Sequence, residues 1–311
     1  MRAARIQVGT ASWTDPSLIK TGRFYPKGVT SAEARLRFYA SRFPMVEVDS
    51  SYYALPSARN AELWVERTPD HFTFNVKAFR LLTGHQTPRQ ALPKDIGDAL
   101  APHFASKKNI YYKDVPNEIR DEIWKRFELA IRPLGLAGKL KAVHFQFAPW
   151  VTPAADWKRH IEECAGRLAD YLLAIEFRNR AWYDGEHDEA TLAFERDLGA
   201  AHVIVDEPQV SAKSIPQVWA VADPRLVILR LHGRNESTWD AKGLTAASNR
   251  FDYDYSDDEL GELADKLLTL RGQAELFQVI NNNNNEDQNV RNAATMMRLL
   301  DQRSPGMVQQ P

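Results

Sequence analysis

The chain of 311 residues contains a single cysteine, Cys164. No intramolecular disulfide can form, which suits a reducing compartment. Cys164 falls on a helical pattern, where a small core residue is the ordinary reading. No apolar run approaches the roughly 20 residues needed to span a bilayer. No signal-peptide-like apolar segment precedes the strand pattern that begins near Ile6. We therefore expect a cytoplasmic protein with no membrane partner. Charge of one sign is also missing: 40 Lys and Arg stand against 41 Asp and Glu, a net charge of -1. There is thus no global basic field to hold nucleic acid. G-x-G-x-x-G, P-loop and G-x-S-x-G motifs are absent, so neither dinucleotide binding, nucleoside triphosphate binding nor a serine hydrolase elbow is supported.

What the chain does have is alternation. Short β-branched or aromatic runs occur at 6–12, 45–51, 72–79, 142–148, 172–182, 202–206, 226–232 and 276–280. Helical patterns lie between them. Thr30 with Glu33, and Ser256 with Glu259, read as capping boxes. Ser57 reads as a cap, and Thr152 as a cap with Pro153 at the first helical position. Ile119, Ile123, Phe127 and Ile131 form a stripe that Pro133 and Gly135 should end. Two connections are weak. Residues 80–115 show no period, and residues 207–225 carry Pro208, Pro216 and Pro224 and admit no full helix. Eight strands and seven helices predict an α/β fold, a single (β/α)8 TIM barrel with a long insertion between the third strand and third helix. The barrel is expected over 1–303 and a disordered tail over 304–311.

Active sites of such barrels lie at the C-terminal ends of the strands. Side chains alternate along a strand, so the polar phase of each run is the candidate lumen. That phase gives Gly9 and Ala11; Glu47, Asp49 and Ser51; Asn75 and Lys77; His144 and Gln146; Glu176 and Arg178; His202 and Asp206; Arg230, His232 and Arg234; Gln278 and Asn282. Four carboxylates (Glu47, Asp49, Glu176, Asp206) then stand near three cations (Lys77, Arg178, Arg230). An unpaired buried charge costs several kcal/mol, so these groups must pair, face a wet cavity or bind something. Trp13, Trp150, Trp182 and Trp239 follow strands, with Tyr52, Tyr53 and Tyr183 beside them. They read either as loop packing or as a rim for stacking on a sugar or base.

Several motifs in fixed order resemble the YecE-like family, domain of unknown function 72. They are GTASW at 9–13, FYP at 24–26, VEVDSSYYALP at 46–56, FNVKA at 74–78, HFQFAPW at 144–150, IEFRNRAW at 175–182, LHGR at 231–234 and the asparagines after 280. The resemblance implies a TIM barrel and no particular reaction. It carries Trp13, Glu47, Tyr52, Lys77, Gln146, Glu176, Arg178, His232 and Asn282 into a shared polar mouth. Asp49 and the spaced TGHQT at 83–87 depart from that pattern.

The expected function is a small-molecule site, with acid/base chemistry on a small anionic or sugar-like substrate ahead of redox chemistry. Glu47, Lys77, Glu176 and His232 are the candidate catalytic residues. Trp13, Asp49, Tyr52, Asn75, Gln146, Arg178, Trp182, Asp206, Arg230, Arg234 and Asn282 are the candidate ligand contacts. No cofactor is predicted; Glu176, Asp206 and His232 offer the best chance of a divalent metal. The alternatives are a metal-dependent nucleic-acid phosphodiesterase, for which Lys107, Lys108 and Lys113 would give a local patch, and a non-catalytic metabolite-binding module.

Overall fold

The computed structural model describes residues 4–105, 107–210, 214–239 and 251–311. Eight parallel strands close a barrel in chain order: β1 (Arg5–Ala11), β2 (Met45–Val48), β3 (Thr73–Lys77), β4 (Leu140–Gln146), β5 (Leu173–Glu176), β6 (Ala201–Asp206), β7 (Val227–Leu231) and β8 (Leu276–Asn281), with β8 pairing back onto β1. This is a (β/α)8 TIM barrel. Seven longer helices cover it: α1 (Ala32–Ala40), α2 (Ala58–Glu66), α3 (Asn117–Leu136), α4 (Ala155–Arg167), α5 (Asp188–Asp197), α6 (Asp257–Thr269) and α7 (Gln288–Arg303). Among the described residues no long helix joins β6 to β7, the connection with three prolines.

Close approach of β1 and β2 depends on Gly9. A Cβ there would lie 2.3 Å from the Met45 carbonyl oxygen. On the outer phase of the strands, Val8, Val46, Phe74, Val76, Phe145, Ile175 and Ile204 are buried as part of the hydrophobic core. Removing that apolar surface from water is the main stabilising term.

Some helix ends lie where their signals predict, and others are displaced. Ser256 and Glu259 form the expected capping box, and Ser57 caps α2 through Asn60 N. The cap of α1 is Ser31, one residue after Thr30, and it accepts from Ala34 N. Pro133 sits inside α3. α4 begins after Ala154, without a side-chain cap from Thr152. The insertion without a period is ordered by short pieces: a two-residue ribbon (Thr87–Pro88 with Asn109–Ile110) and single helical turns between. It has no long period because no piece is long enough to show one. Its apolar residues Leu92, Ile96, Leu100 and Ile110 are buried all the same.

The chain end corrects another expectation. Residues 304–311 are not a loose tail. Val308 bridges to Ile6, Gln309 N donates to the Ile6 carbonyl, and the Gln309 side chain reaches Gln7 and His71. Val308 is 5% exposed, so one apolar residue and one amide suffice to pin a stretch whose composition gives no period.

Candidate functional site

The lumen is filled in layers. At the bottom is a layer of amides and a hydroxyl. Asn75 Nδ2 donates to Gln278 Oε1 (2.7 Å), Gln278 Nε2 to Gln7 Oε1 (2.9 Å) and Thr73 Oγ1 to the same oxygen (3.0 Å). Gln309 continues the chain of bonds below. Asn75 is therefore part of the barrel floor, sealed from solvent, and not a contact at the mouth.

Above it lies a charged layer. Arg230 is the hub: Nη2 donates to Glu47 Oε1 (2.6 Å) and Nη1 to Glu176 Oε2 (2.7 Å). His144 stands between the same carboxylates, Nδ1 at 2.8 Å from Glu47 Oε2 and Nε2 at 3.3 Å from Glu176 Oε2. All four side chains are fully buried. Burial alone would raise the Glu47 carboxyl, but Arg230, His144 and Lys77 outweigh it and hold it at about 2. Burial opposes ionisation of Glu176 too, yet Arg230 and His232 hold it well below the usual carboxylate range. Both carboxylates are thus ionised at neutral pH, and neither can serve there as a protonated acid of the kind a glycosidase pair requires.

The upper layer reaches solvent. Glu176 Oε1 accepts from Gln146 (2.7 Å), His232 Nε2 (3.1 Å) and Arg178 (3.2 Å). Asn282 Nδ2 lies 2.9 Å from His232 Nδ1. Burial, with Arg178 and Arg230 nearby, lowers the His232 imidazole to about 3 despite Glu176. A neutral ring that accepts from Asn282 at Nδ1 and donates to Glu176 at Nε2 satisfies both bonds. Lys77 Nζ bonds Gln146 (3.0 Å) and Asp49 (3.1 Å) and sits 5.0 Å over the Tyr52 ring. Arg178 spans Glu176 and Glu207 (2.5 Å to the latter) and lies 5.8 Å from the Trp239 ring. The Asp49 and Arg178 side chains are 22% and 16% exposed, so this layer is where a ligand can touch the protein.

Glu207 is the residue that sequence reasoning missed. The lumen phase of β6 is Val203, Val205 and Glu207, and not His202 and Asp206. His202 bonds Glu195 of α5 (2.9 Å) and Asp206 accepts from Tyr255 (2.5 Å), both in the surrounding helical layer. β6 is buried on both faces, so alternation of polarity could not fix its phase, and a slip of one residue exchanges the faces. The one available signal was charge: Arg178 needs a second carboxylate, and Glu207 supplies it. Burial raises the Glu207 carboxyl, with Arg178 pulling the other way.

Arg234 leaves the mouth with Asp206. It bonds Asp206 (2.8 Å) and Glu259 (3.2 Å), forming a separate cluster beneath Tyr255. This also separates Glu176 and His232 from Asp206, so the proposed metal trio is not assembled. Among the described residues no group of three or more His, Cys, Asp or Glu is placed to hold a metal ion. Two aromatics move as well. Trp182 is fully buried, stacked 3.8 Å from Phe177, with Nε1 donating to the Val151 carbonyl. Trp13 packs edge-on against Trp64 of α2 (5.7 Å). The aromatics beside the polar mouth are Tyr52 and Trp239. In the insertion, Lys107 is paired with Asp114 (3.1 Å) and is not part of a free basic patch. No helix among the described residues is long and apolar enough to cross a membrane.

Comparison with known proteins agrees with this architecture. Two solved structures of DUF72 family proteins, from Enterococcus faecalis V583 and Thermotoga maritima MSB8, superpose with TM-scores of 0.77 and 0.73 at 26% identity each. They cover 95% and 96% of this chain, and 95% and 99% of their own. The UPF0759 protein YunF of Bacillus subtilis (strain 168) is 32% identical over 298 residues, 95% of either chain. Residues 7–311 match the family described as "Protein of unknown function DUF72", and the chain belongs to that family.

Proposed function

We propose that the barrel mouth binds a small, uncharged, hydroxyl-rich molecule of the sugar class. One observation carries this reading: the lumen cations Lys77, Arg178 and Arg230 already have carboxylate partners. Asp49 holds Lys77, Glu176 and Glu207 hold Arg178, and Glu47 and Glu176 hold Arg230. An anionic ligand drawn to any of these three would have to displace a carboxylate. A polyol needs only alternating donors and acceptors, which Asp49, Lys77, Gln146, Arg178 and Asn282 offer side by side. Tyr52 and Trp239 add flat apolar faces.

Roles follow from burial. Glu47, Arg230 and His144 form a fixed, ionised floor that orients Glu176. Neutral His232 is held by Asn282 and Glu176 with its ring polarised, and the largely buried Lys77 ammonium is a hydrogen-bond donor at the mouth. Glu207, ion-paired with Arg178 while burial raises its carboxyl, holds that guanidinium at the mouth. Metal-dependent chemistry on nucleic acid draws no support from this charge balance.

The test is thermal unfolding of the purified protein against a panel of neutral monosaccharides, matched sugar phosphates and small carboxylates. Neutral sugars should raise the Tm, and Lys77→Ala and Asn282→Ala should remove the shift, each read against that variant's own ligand-free Tm. Stabilisation by the charged members alone would refute the reading.

A further inference from the structure

Beside the mouth runs a groove of about 540 Å³, within the usual size of a ligand site. It lies between the insertion and α4, lined by Gly84, Tyr111, Tyr112, Lys113, Trp150, Asp156, Trp157 and His160. Trp150 is 43% exposed and Tyr111 37%, among the most exposed large aromatics of the described chain. These rings are held, not loose. Trp150 Nε1 donates to the Gly84 carbonyl (3.0 Å), and Tyr111 meets the Trp150 ring at 6.1 Å and 79°. Gly84 has φ +80°, and a Cβ there would come within 3.1 Å of Trp157. The backbone at this position is left bare so that two tryptophans can close on it.

A line of rings in contact joins the groove wall to the mouth. Trp150 lies 5.9 Å from His85, His85 lies 5.2 Å from Tyr52, and Tyr52 carries Lys77 at 5.0 Å. His85 is uncharged at neutral pH, because burial together with Lys77, Arg80 and Arg178 lowers its imidazole to about 3. The groove wall itself carries one cation, Lys113, and one anion, Asp156. A nucleic acid strand would need cations along its phosphates as well as rings for its bases. A neutral sugar chain needs rings and scattered polar edges, which are what this wall presents.

We infer that the groove is a second subsite for the same ligand: a linear neutral oligosaccharide, one end in the barrel mouth and the remainder stacked along His85, Trp150 and Tyr111. This rests on the reading of the mouth as a sugar site.

The experiment is a titration followed by tryptophan fluorescence and calorimetry. The probes are linear gluco-, xylo-, manno- and N-acetylglucosamine oligomers, from single sugars to hexasaccharides, on wild-type protein and on Trp150→Ala, Tyr111→Ala and Lys77→Ala. In at least one series affinity should climb with length. Trp150→Ala should weaken the long members about tenfold and leave the single sugar unchanged. Lys77→Ala should weaken all members. If single sugars bind through Lys77 while length and Trp150→Ala change nothing, the subsite is wrong and the mouth reading survives. If hexasaccharides bind through Trp150 but are indifferent to Lys77→Ala, the two regions do not share a ligand and the inference falls with the mouth reading. Failure of every oligomer to bind overturns it outright.

Discussion

Arg230 Nη1 and Glu176 Oε2 meet at 2.7 Å in a layer that no solvent reaches. The same guanidinium holds Glu47 from its other arm at 2.6 Å. Strands two, five and seven are thereby tied through one side chain. Removing one partner of a buried pair leaves the other charges uncompensated. Arg230→Met should cost about 3–5 kcal/mol in urea denaturation. Arg230→Lys should recover only part, since an ammonium cannot present two parallel donors to two carboxylates.

Acid should weaken the fold in two windows. The His232 imidazole is lowered to about 3 when folded, from a model-compound value of 6.5. The unfolded chain therefore binds the extra proton first. The contribution of neutral His232 is whole above pH 6.5 and is lost as pH falls from there through about 3. Glu47, lowered from 4.5 to about 2, loses its contribution in the window below. Stability measured by denaturant midpoint against pH should decline in this order; His85, also lowered to about 3, shares the upper window, so His232→Gln should reduce the slope there without abolishing it. An unchanged slope in that variant would show that other groups alone titrate there.

Trp182 separates packing from binding. Its ring is buried against Phe177 and Phe194. Trp182→Ala should cost about 3–5 kcal/mol of stability. Trp182→Phe, which keeps a ring, should fold with any mouth-ligand affinity within a factor of about two of wild type. A large affinity loss in the Phe variant would return Trp182 to the site.

The chain end should be stabilising. Deleting residues 304–311 removes Val308 from its seat beside Ile6 and the Gln309 bonds to Gln7 and His71. Losing one buried Val alone is worth about 1.5–3 kcal/mol. The deletion should lower the unfolding free energy from denaturant titration by at least that, and Val308→Asp should lower it similarly.

The barrel could be read from the sequence because each strand is a short apolar run and each covering helix has its own 3.6-residue stripe. Most of the lumen could be read too. Glu47, Lys77, Gln146, Glu176 and Arg230 stand at alternate positions in strands whose other phase is plainly apolar. β6 failed for a physical reason: Val203 and Val205 face the lumen while His202 and Asp206 face helices, so polarity pointed the wrong way. Arg234 lies three residues beyond β7, where alternation no longer holds. Trp13 and Trp182 show that an aromatic following a strand is as easily folded back onto a helix as raised to a rim. The insertion was opaque because its order comes from contacts with α4 and with the mouth, and not from a period of its own.

Closure of the sheet has a consequence for how the chain is made. β1 is translated first, yet one of its two edges is completed only by β8, at residues 276–281. Throughout most of synthesis that edge offers unpaired amides and carbonyls beside a row of apolar side chains, a template for pairing with any other nascent strand. The ribosome must release nearly the whole barrel before the first strand has both neighbours, so crowding and chaperone supply should govern yield in cells more strongly than the stability of the finished fold.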